Sequence, residues 1–147
     1  MSDEPNPNLP TPRQAAIMRP PSARHRAERI DRNTHPHGDV NTVAMPWVDF
    51  NEDVQAIREG RAFRDGNRFV VNGREYVLEG NGRLFPTTGA GLYRIGRGAY
   101  RALGRYNEGG LVAAVEAQLD EMHIREDERR VARTLWRAIR DWKQEQG

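Results

Sequence analysis

The stretch RFVVNGREYVLEGNGRLFP, residues 68–86, decides the fold. Two runs of β-branched and aromatic residues flank Asn72-Gly73, a dipeptide that favours the type I′ turn of a β-hairpin because both central residues need a positive φ. A second turn, Gly80-Asn81-Gly82, leads into a third run, and Pro86 is expected to end the strand pairing. The sequence therefore predicts a three-stranded antiparallel meander over residues 61–88.

Helical patterns lie on both sides of this meander, within one expected domain over residues 45–147. Before it, Asp49 and Glu52 have capping-box spacing and Gly60 is a stop signal, which predicts a short helix within residues 45–60. After it, a Gly/Arg-rich connection over residues 89–110 is expected to hold one short helix. Residues 111–145 predict a pair of amphipathic helices and hence an α+β fold. Their apolar stripes are Leu111, Val115, Leu119 and Met122, then Val131, Leu135, Ile139 and Trp142.

Residues 1–44 are interpreted as a disordered basic N-terminal arm. Seven of the nine prolines lie within the first 36 residues, and the first aromatic residue of the chain is Trp47. The few large apolar residues of the arm follow no period, so we expect no core to form there. The arm either folds when it binds a partner or serves as a passive, solvated tail.

Charge is distributed unevenly along the chain. The net charge is only +2, but all basic residues except Lys143 are arginine, and residues 61–107 hold nine arginines against three acidic residues. Arginine recognises phosphate with a bidentate fork, although codon bias in a GC-rich genome produces the same enrichment. Five arginines of the last helix are expected to form a ridge opposite its apolar stripe: Arg129, Arg130, Arg133, Arg137 and Arg140.

Arginine-rich surfaces make nucleic acid or an acidic protein surface the expected partner. The candidate contact residues come from the arm, the connection and the last helix. They are Arg24, Arg26, Arg29, Arg94, Arg97, Arg101, Arg105, Arg129, Arg133, Arg137 and Arg140.

The residue types present exclude or disfavour several chemistries. The chain has no cysteine and its only serines are Ser2 and Ser22, which argues against thiol and serine nucleophiles. GAGLYRIGRG, residues 89–98, lacks both the Gly-Lys-Ser/Thr ending of a P-loop and the third glycine of the dinucleotide fingerprint. His35, His37 and Asp39 are interpreted as incidental. We therefore expect no metal and no cofactor.

Two parts of the sequence resemble known protein families. Residues 82–136, with GRLFP, RGAYRALGRYN and LDEMHI, resemble a module of short uncharacterised bacterial proteins, which implies order but no activity. GLYRI, GRYNEGG and Glu116 are similar to elements of the RES-type NAD-degrading toxins, in which an arginine holds the dinucleotide and a glutamate supports cleavage. This second resemblance implies Arg94, Tyr106 and Glu116 as catalytic residues, but the serine element of the family is missing.

Together these patterns favour a small non-catalytic binding protein of bacterial or phage type that contacts nucleic acid or an acidic protein partner. A strict helix-turn-helix is disfavoured because its register would bury Gln118 and Arg129. The alternatives are an antitoxin or phage accessory protein that binds only protein, and a RES-like enzyme. No apolar run approaches the length of a membrane helix, so a cytoplasmic protein without membrane contacts is expected. The oligomeric state stays open.

Overall fold

The computed structural model describes residues 4–147, which divide into two compact units. Unit 1 contains the described residues up to Ser22 and Val48–Leu92; unit 2 contains Ala23–Trp47 and Tyr93–Gly147. The fold is α+β, as predicted. In chain order the elements are α1 (Pro12–Ile17), β1 (Val40–Ala44), α2 (Phe50–Arg58), β2 (Phe63–Asp65), β3 (Arg68–Val71), β4 (Arg74–Leu78), β5 (Leu84–Gly89), β6 (Leu92–Gly96), α3 (Arg97–Glu108), α4 (Val112–Glu121) and α5 (Glu126–Gln146).

Unit 1 is built on an antiparallel sheet with the strand order β2-β3-β4-β5. The predicted hairpin between β3 and β4 is confirmed: Asn72 and Gly73 have φ values of 51° and 77°, as a type I′ turn requires. Their neighbours Val71 and Arg74 pair across the turn.

The sheet differs from the predicted meander in two respects. It has a fourth strand, β2, because Gly66 at a φ of 61° helps to form another tight turn that pairs Phe63 with Val70. Three residues are too few to show the alternation that marks a strand. In addition, Pro86 lies within β5 opposite Tyr76 instead of ending the pairing. Proline is tolerated there because β5 is an edge strand, which does not need every N–H for the sheet.

Two helices complete unit 1, and the predicted short helix, α2, is one of them. The Asp49 side chain accepts a hydrogen bond from the main-chain N–H of Glu52 at 3.0 Å, so the expected N-cap is present. In α1, Thr11 and Gln14 form a reciprocal capping box. The Gln14 amide also donates to the carbonyl oxygen of Gly66 at 3.0 Å, which attaches α1 to the turn before β3.

Unit 2 combines the strand pair β1-β6 with three helices. The expected flexible connection instead forms β6 and the twelve-residue helix α3, which is longer than the short helix predicted there. The core of this unit is formed by buried residues from the 3₁₀ turn Ala27–Arg29, β1, β6 and all three helices, and from the loops beside them. Its members include Ile30, Val43, Met45, Tyr100, Leu103, Tyr106, Leu119, Leu135 and Ile139.

The prediction of a disordered N-terminal arm is wrong for the described residues. Ala27, Ile30 and Val43 are at most 1% exposed, and each belongs to the core of unit 2. Gly104 of α3 permits this packing, because a Cβ atom there would lie only 2.9 Å from the carbonyl oxygen of Asp31. The apolar residues of the segment follow no period because they enter the core one at a time.

The predicted helical pair is confirmed as α4 and α5, but its apolar stripes are displaced. Leu111 precedes α4 and is 78% exposed, and Val131 is 43% exposed, while the neighbouring Ala132 is fully buried. The buried face of α5 is therefore centred on Ala132, Leu135 and Ile139. Among residues 4–147, no helix combines the length and apolar character that crossing a membrane requires.

Candidate anion-binding site

The helix α3 begins without a capping side chain of its own. Its N-cap is Gly96 and its first residue is Arg97, a cation at the end of the helix where the dipole disfavours positive charge. The cap comes from α5 instead, since the Glu128 carboxylate accepts a hydrogen bond from the main-chain N–H of Ala99. Gly98 leaves room for this carboxylate, which a Cβ atom would meet. Because Gly98 has no side chain, Glu128 can cap α3 and attach the start of this helix to α5.

Three arginines, Arg97, Arg101 and Arg105, repeat every fourth residue along α3, and we call them the α3 arginine face. A spacing of four residues places neighbouring side chains on one side of the helix, about 6 Å apart along its axis. Arg97 donates to the carbonyl oxygen of Gly38 at 3.2 Å. Arg101 and Arg105 form no side-chain hydrogen bond or ion pair with any other described residue. Arg105 still acts on Glu108 over a longer distance and helps to lower the pKa of its carboxyl, but neither guanidinium is held in an ion pair.

Beside this face, unit 2 has a cleft of about 190 Å³. Arg101 and Arg105 line it from α3, and Arg32 and His35 line it from the segment before β1. The remaining lining residues are Asp31, Thr34 and Met122. An adjoining opening of about 250 Å³ shares Arg32, Arg105 and Met122 with the cleft and adds Gln118 and Glu121.

The acidic residue inside the cleft, Asp31, is engaged locally. Its Oδ1 accepts hydrogen bonds from the main-chain N–H of Asn33 at 2.8 Å and from the Thr34 hydroxyl at 2.9 Å. These are turn contacts, typical of an Asp that stabilises its own loop. The carboxylate keeps its charge, but three arginines line the cleft against this one acidic residue, so the cleft suits an anion.

Arg32 is held by Glu108, the last residue of α3. Its Nη2 and Nε donate to Glu108 Oε2 at 2.7 and 3.1 Å, and its main-chain N–H donates to Oε1 at 2.9 Å. These hydrogen bonds from Arg32 lower the pKa of the Glu108 carboxyl to about 2, and the same contact raises the pKa of Arg32. Glu108 therefore occupies the guanidinium fork as an external anion would.

The expected arginine ridge on α5 is divided in the structure. Arg129 and Arg133 are only 12% and 19% exposed and reach across to Glu116 of α4, each at 3.2 Å. Arg129 also pairs with Asp120 at 2.8 Å, and Arg133 pairs with Glu126. Two of the ridge arginines thus connect α4 and α5.

The outer arginines of α5 are in different surroundings. Arg130 and Arg137 are exposed. Arg140 lies 5.1 Å from the centre of the Trp136 ring and 3.8 Å from Asp141. Because it is stacked on an aromatic ring, Arg140 also contributes to packing.

The remaining predicted contact residues are scattered over unit 2. Arg24 is half-buried and its carbonyl oxygen accepts a hydrogen bond from the Tyr100 hydroxyl at 2.7 Å. Arg26 lies 3.6 Å from Glu28, and Arg29 and Arg94 are exposed. Of the arginines chosen from sequence, the cleft thus brings together Arg101 and Arg105.

Sequence reasoning missed two cleft residues, Arg32 and His35. Both lie in the segment interpreted as disordered, and their position depends on the close approach of residue 31 to Gly104. The only available signal was the glycine within RGAYRALG, and its meaning could not be read without the partner segment. His35, His37 and Asp39 do not converge: no group of three metal-ligating side chains capable of holding an ion occurs among residues 4–147.

Of the residues implied by the toxin resemblance, Tyr106 and Glu116 are in contact. The Tyr106 hydroxyl donates to Glu116 Oε1 at 2.6 Å, and burial raises the pKa of this tyrosine. Both oxygens of Glu116 also accept from Arg133 and Arg129. Arg94, in contrast, lies exposed on β6 and is not among their partners. Glu116 is therefore engaged in joining α3, α4 and α5.

Unit 1 contains a polar cluster of its own around Asp53, which is fully buried. Its carboxylate accepts hydrogen bonds from Asn72 Nδ2 at 2.7 Å, from Arg74 Nε at 2.7 Å and from the Tyr76 hydroxyl. Burial raises the pKa of Tyr76, and the hydrogen bond to Asp53 raises that of Arg74. Every member has a partner, so the cluster fixes the hairpin turn against α2.

Comparison with known proteins gives no lead: no family model, curated protein or solved structure matches the chain significantly. The function is therefore argued from the site itself.

Proposed function

We propose that this is a small non-catalytic binding protein that holds nucleic acid by its phosphates on the α3 arginine face. One observation carries the proposal: Arg97, Arg101 and Arg105 share one side of α3, and the last two form no ion pair or side-chain hydrogen bond with another described residue. Like charges four residues apart destabilise a helix by a few tenths of a kcal/mol, about 0.2–0.5 per pair. An anion bound along the face would remove this repulsion.

The regular spacing of the arginines along α3 favours nucleic acid over an acidic protein surface as the ligand. The phosphates of a strand repeat at a constant interval, and the three arginines also recur regularly, about 6 Å apart along the axis of α3. Arg32 extends the positive surface beyond the helix, and its side chain is 57% exposed. Contacts of this kind position a nucleic acid without reading its sequence.

The test is a salt series with mixed-sequence duplex and single-stranded oligonucleotides. The parent chain is compared with R101Q/R105Q and with the control R130Q/R137Q, which removes two exposed arginines from α5. We expect the parent affinity to fall with salt at a logarithmic slope of about −0.9 per contacted phosphate on duplex, and R101Q/R105Q to flatten it by about two units. The control should leave the slope unchanged.

Two results would refute this function. Equal flattening by both double variants would mean that binding follows net charge and not the α3 face. A parent chain that ignores oligonucleotides but binds a polyglutamate peptide, with binding lost in R101Q/R105Q, would assign the face to an acidic protein partner.

A further inference from the structure

We propose that the cleft beside the α3 arginine face binds a terminal phosphate monoester, the doubly charged end of a nucleic-acid strand, through Arg32, Arg101 and Arg105. This inference rests on the proposed function, because it places the end of the strand whose internal phosphates lie along α3. The α3 arginine face alone would accept any phosphate of the strand, whereas the cleft is assigned the terminal one.

Positive charge is concentrated in the cleft. Arg32, Arg101 and Arg105 line a space of about 190 Å³ against a single acidic lining residue, Asp31. An internal phosphodiester brings a single negative charge, whereas a phosphate monoester carries about −1.5 to −2 at neutral pH. The monoester is the better match for so many donors.

The cleft is also small. Pockets that enclose a whole drug-sized molecule measure about 300–1,000 Å³, so the cleft alone, without the adjoining opening, is too small for a complete nucleotide. One water occupies about 30 Å³ of liquid, and a cleft of about 190 Å³ can hold a phosphate group with part of its hydration. The sugar and base would remain outside, next to α3.

A carboxylate of the protein already occupies the Arg32 fork. Glu108 contacts Arg32 with both oxygens, in the geometry that arginine also uses for phosphate. It is the last residue of α3, where the helix dipole disfavours a negative charge. Gly109 and Gly110 follow at φ values of 81° and 97°, so the chain beyond it lacks side chains that would restrain it. A dianion entering the cleft can therefore replace Glu108.

The experiment compares two single-stranded oligonucleotides of identical sequence, one with a 5′-phosphate and one with a 5′-hydroxyl end. Binding of the full chain is followed by fluorescence anisotropy, with the dye at the 3′ end. We expect the phosphorylated strand to bind about tenfold more tightly, the gain of one or two charge-assisted hydrogen bonds. R32Q should abolish this preference, so that the two strands bind with equal affinity. R32K, which keeps the charge but lacks the fork, should also lose most of the preference.

Glu108 offers a variant with the opposite effect. E108Q frees the Arg32 fork and should raise the preference for the phosphorylated strand several-fold. E145Q makes the same change of charge on exposed α5 and should raise binding of both strands equally. A preference unchanged in E108Q would overturn the proposed exchange of Glu108 for phosphate.

Inorganic phosphate separates the possible sources of the ligand. At matched ionic strength, phosphate should raise the melting temperature of the parent relative to chloride, and R32Q should remove the increase. Stabilisation by phosphate without any preference between the strands would overturn the strand-end assignment in favour of a free phosphate. Equal, salt-dependent binding of both strands without phosphate stabilisation refutes this inference and leaves the proposed function intact. Binding of the phosphorylated strand alone refutes the backbone contacts along α3 and supports the end site.

Discussion

Arginines serve different purposes in the two units. In unit 1, Arg74 contacts a buried carboxylate, and Arg58 and Arg83 donate to the carbonyl oxygens of Met18 and Pro20 at 2.8 and 3.0 Å. These side chains tie the N-terminal segment and the hairpin to the rest of the unit. Unit 2 also has tying arginines on α5, but Arg101 and Arg105 on α3 contact no acidic partner among residues 4–147. Arginine content therefore indicates a binding surface only once the structural arginines have been set aside.

The largest expected effect concerns the buried cluster of unit 1. D53N leaves the guanidinium of Arg74, only 12% exposed, without its counter-charge, and we expect a loss of about 3–5 kcal/mol in the free energy of unfolding. Urea denaturation measures it. The control is D65N, because Asp65 pairs with Arg68 at 3.5 Å but is 71% exposed, and its loss should stay below about 1 kcal/mol. Similar losses in the two variants would show that the Asp53 cluster does not hold unit 1 together.

The next largest effect is a pH dependence of the free energy of unfolding, caused by a histidine of unit 2. His25 is buried, its Nδ1–H donates to the Thr42 carbonyl oxygen at 2.8 Å, and burial lowers its pKa from 6.5 to about 4. The unfolded chain thus takes up a proton at a higher pH than the folded chain does. Stability present above pH 6.5 should fall by about 3 kcal/mol as the pH drops from about 6.5 to about 4.

Denaturation of the parent and H25Q across this range measures the effect. The folded-state pKa of Glu108 is about 2, so its unfolded carboxyl begins to bind a proton near pH 4 and adds a smaller loss at the acidic end of this range. H25Q should lose the dependence above that end and retain only this carboxyl contribution. A parent whose stability is flat over this range would show that His25 is solvated.

A smaller effect is expected at the hairpin turn of unit 1. Gly73 has a φ of 77°, a conformation in which a β-branched side chain is strained, so G73V should cost about 1–3 kcal/mol. G80V is the matched control, since a side chain at Gly80 meets open space and φ lies outside the positive region. The two melting temperatures should differ clearly. A G73V protein that melts with the parent would contradict the turn.

The smallest effect concerns Glu116, which joins the helices of unit 2. E116Q weakens partly exposed ion pairs to Arg129 and Arg133, so we expect a loss of about 1 kcal/mol in unfolding free energy. No nicotinamide should be released when the parent is incubated with NAD. Release that disappears in E116Q would support the RES-like alternative and contradict the structural role.

Local signals predicted part of this fold correctly. The turn at Asn72-Gly73, the Asp49 cap and the helical periodicity of α4 and α5 each act within one segment, and the turn, the cap and both helices appear in the structure. The described residues before β1 were misread because Met18 and Ile30 become buried singly by contacts with distant segments. Contacts of this kind leave no hydrophobic periodicity in the sequence from which they could be predicted.

Some residues of the candidate site could also be named from the sequence. The spacing of Arg97, Arg101 and Arg105 was available from the sequence, and all three were chosen. Arg32 and His35 could not be found, because the segment before β1 reaches α3 only where Gly104 lacks a side chain. The sequence does not show that Arg129 and Arg133 are structural rather than ligand-binding residues, because their pairing with Glu116 depends on how α4 and α5 pack.

The most direct measurement is urea unfolding of R101Q/R105Q and R129Q/R133Q at low salt. If the α3 arginines are held for a partner, R101Q/R105Q should be as stable as the parent or more stable by a few tenths of a kcal/mol, about 0.2–0.5, because a like-charge pair is removed. R129Q/R133Q should lose about 2 kcal/mol, because it leaves Glu116 without its ion pairs. A loss in R101Q/R105Q as large as that in R129Q/R133Q would contradict the division between binding and structural arginines.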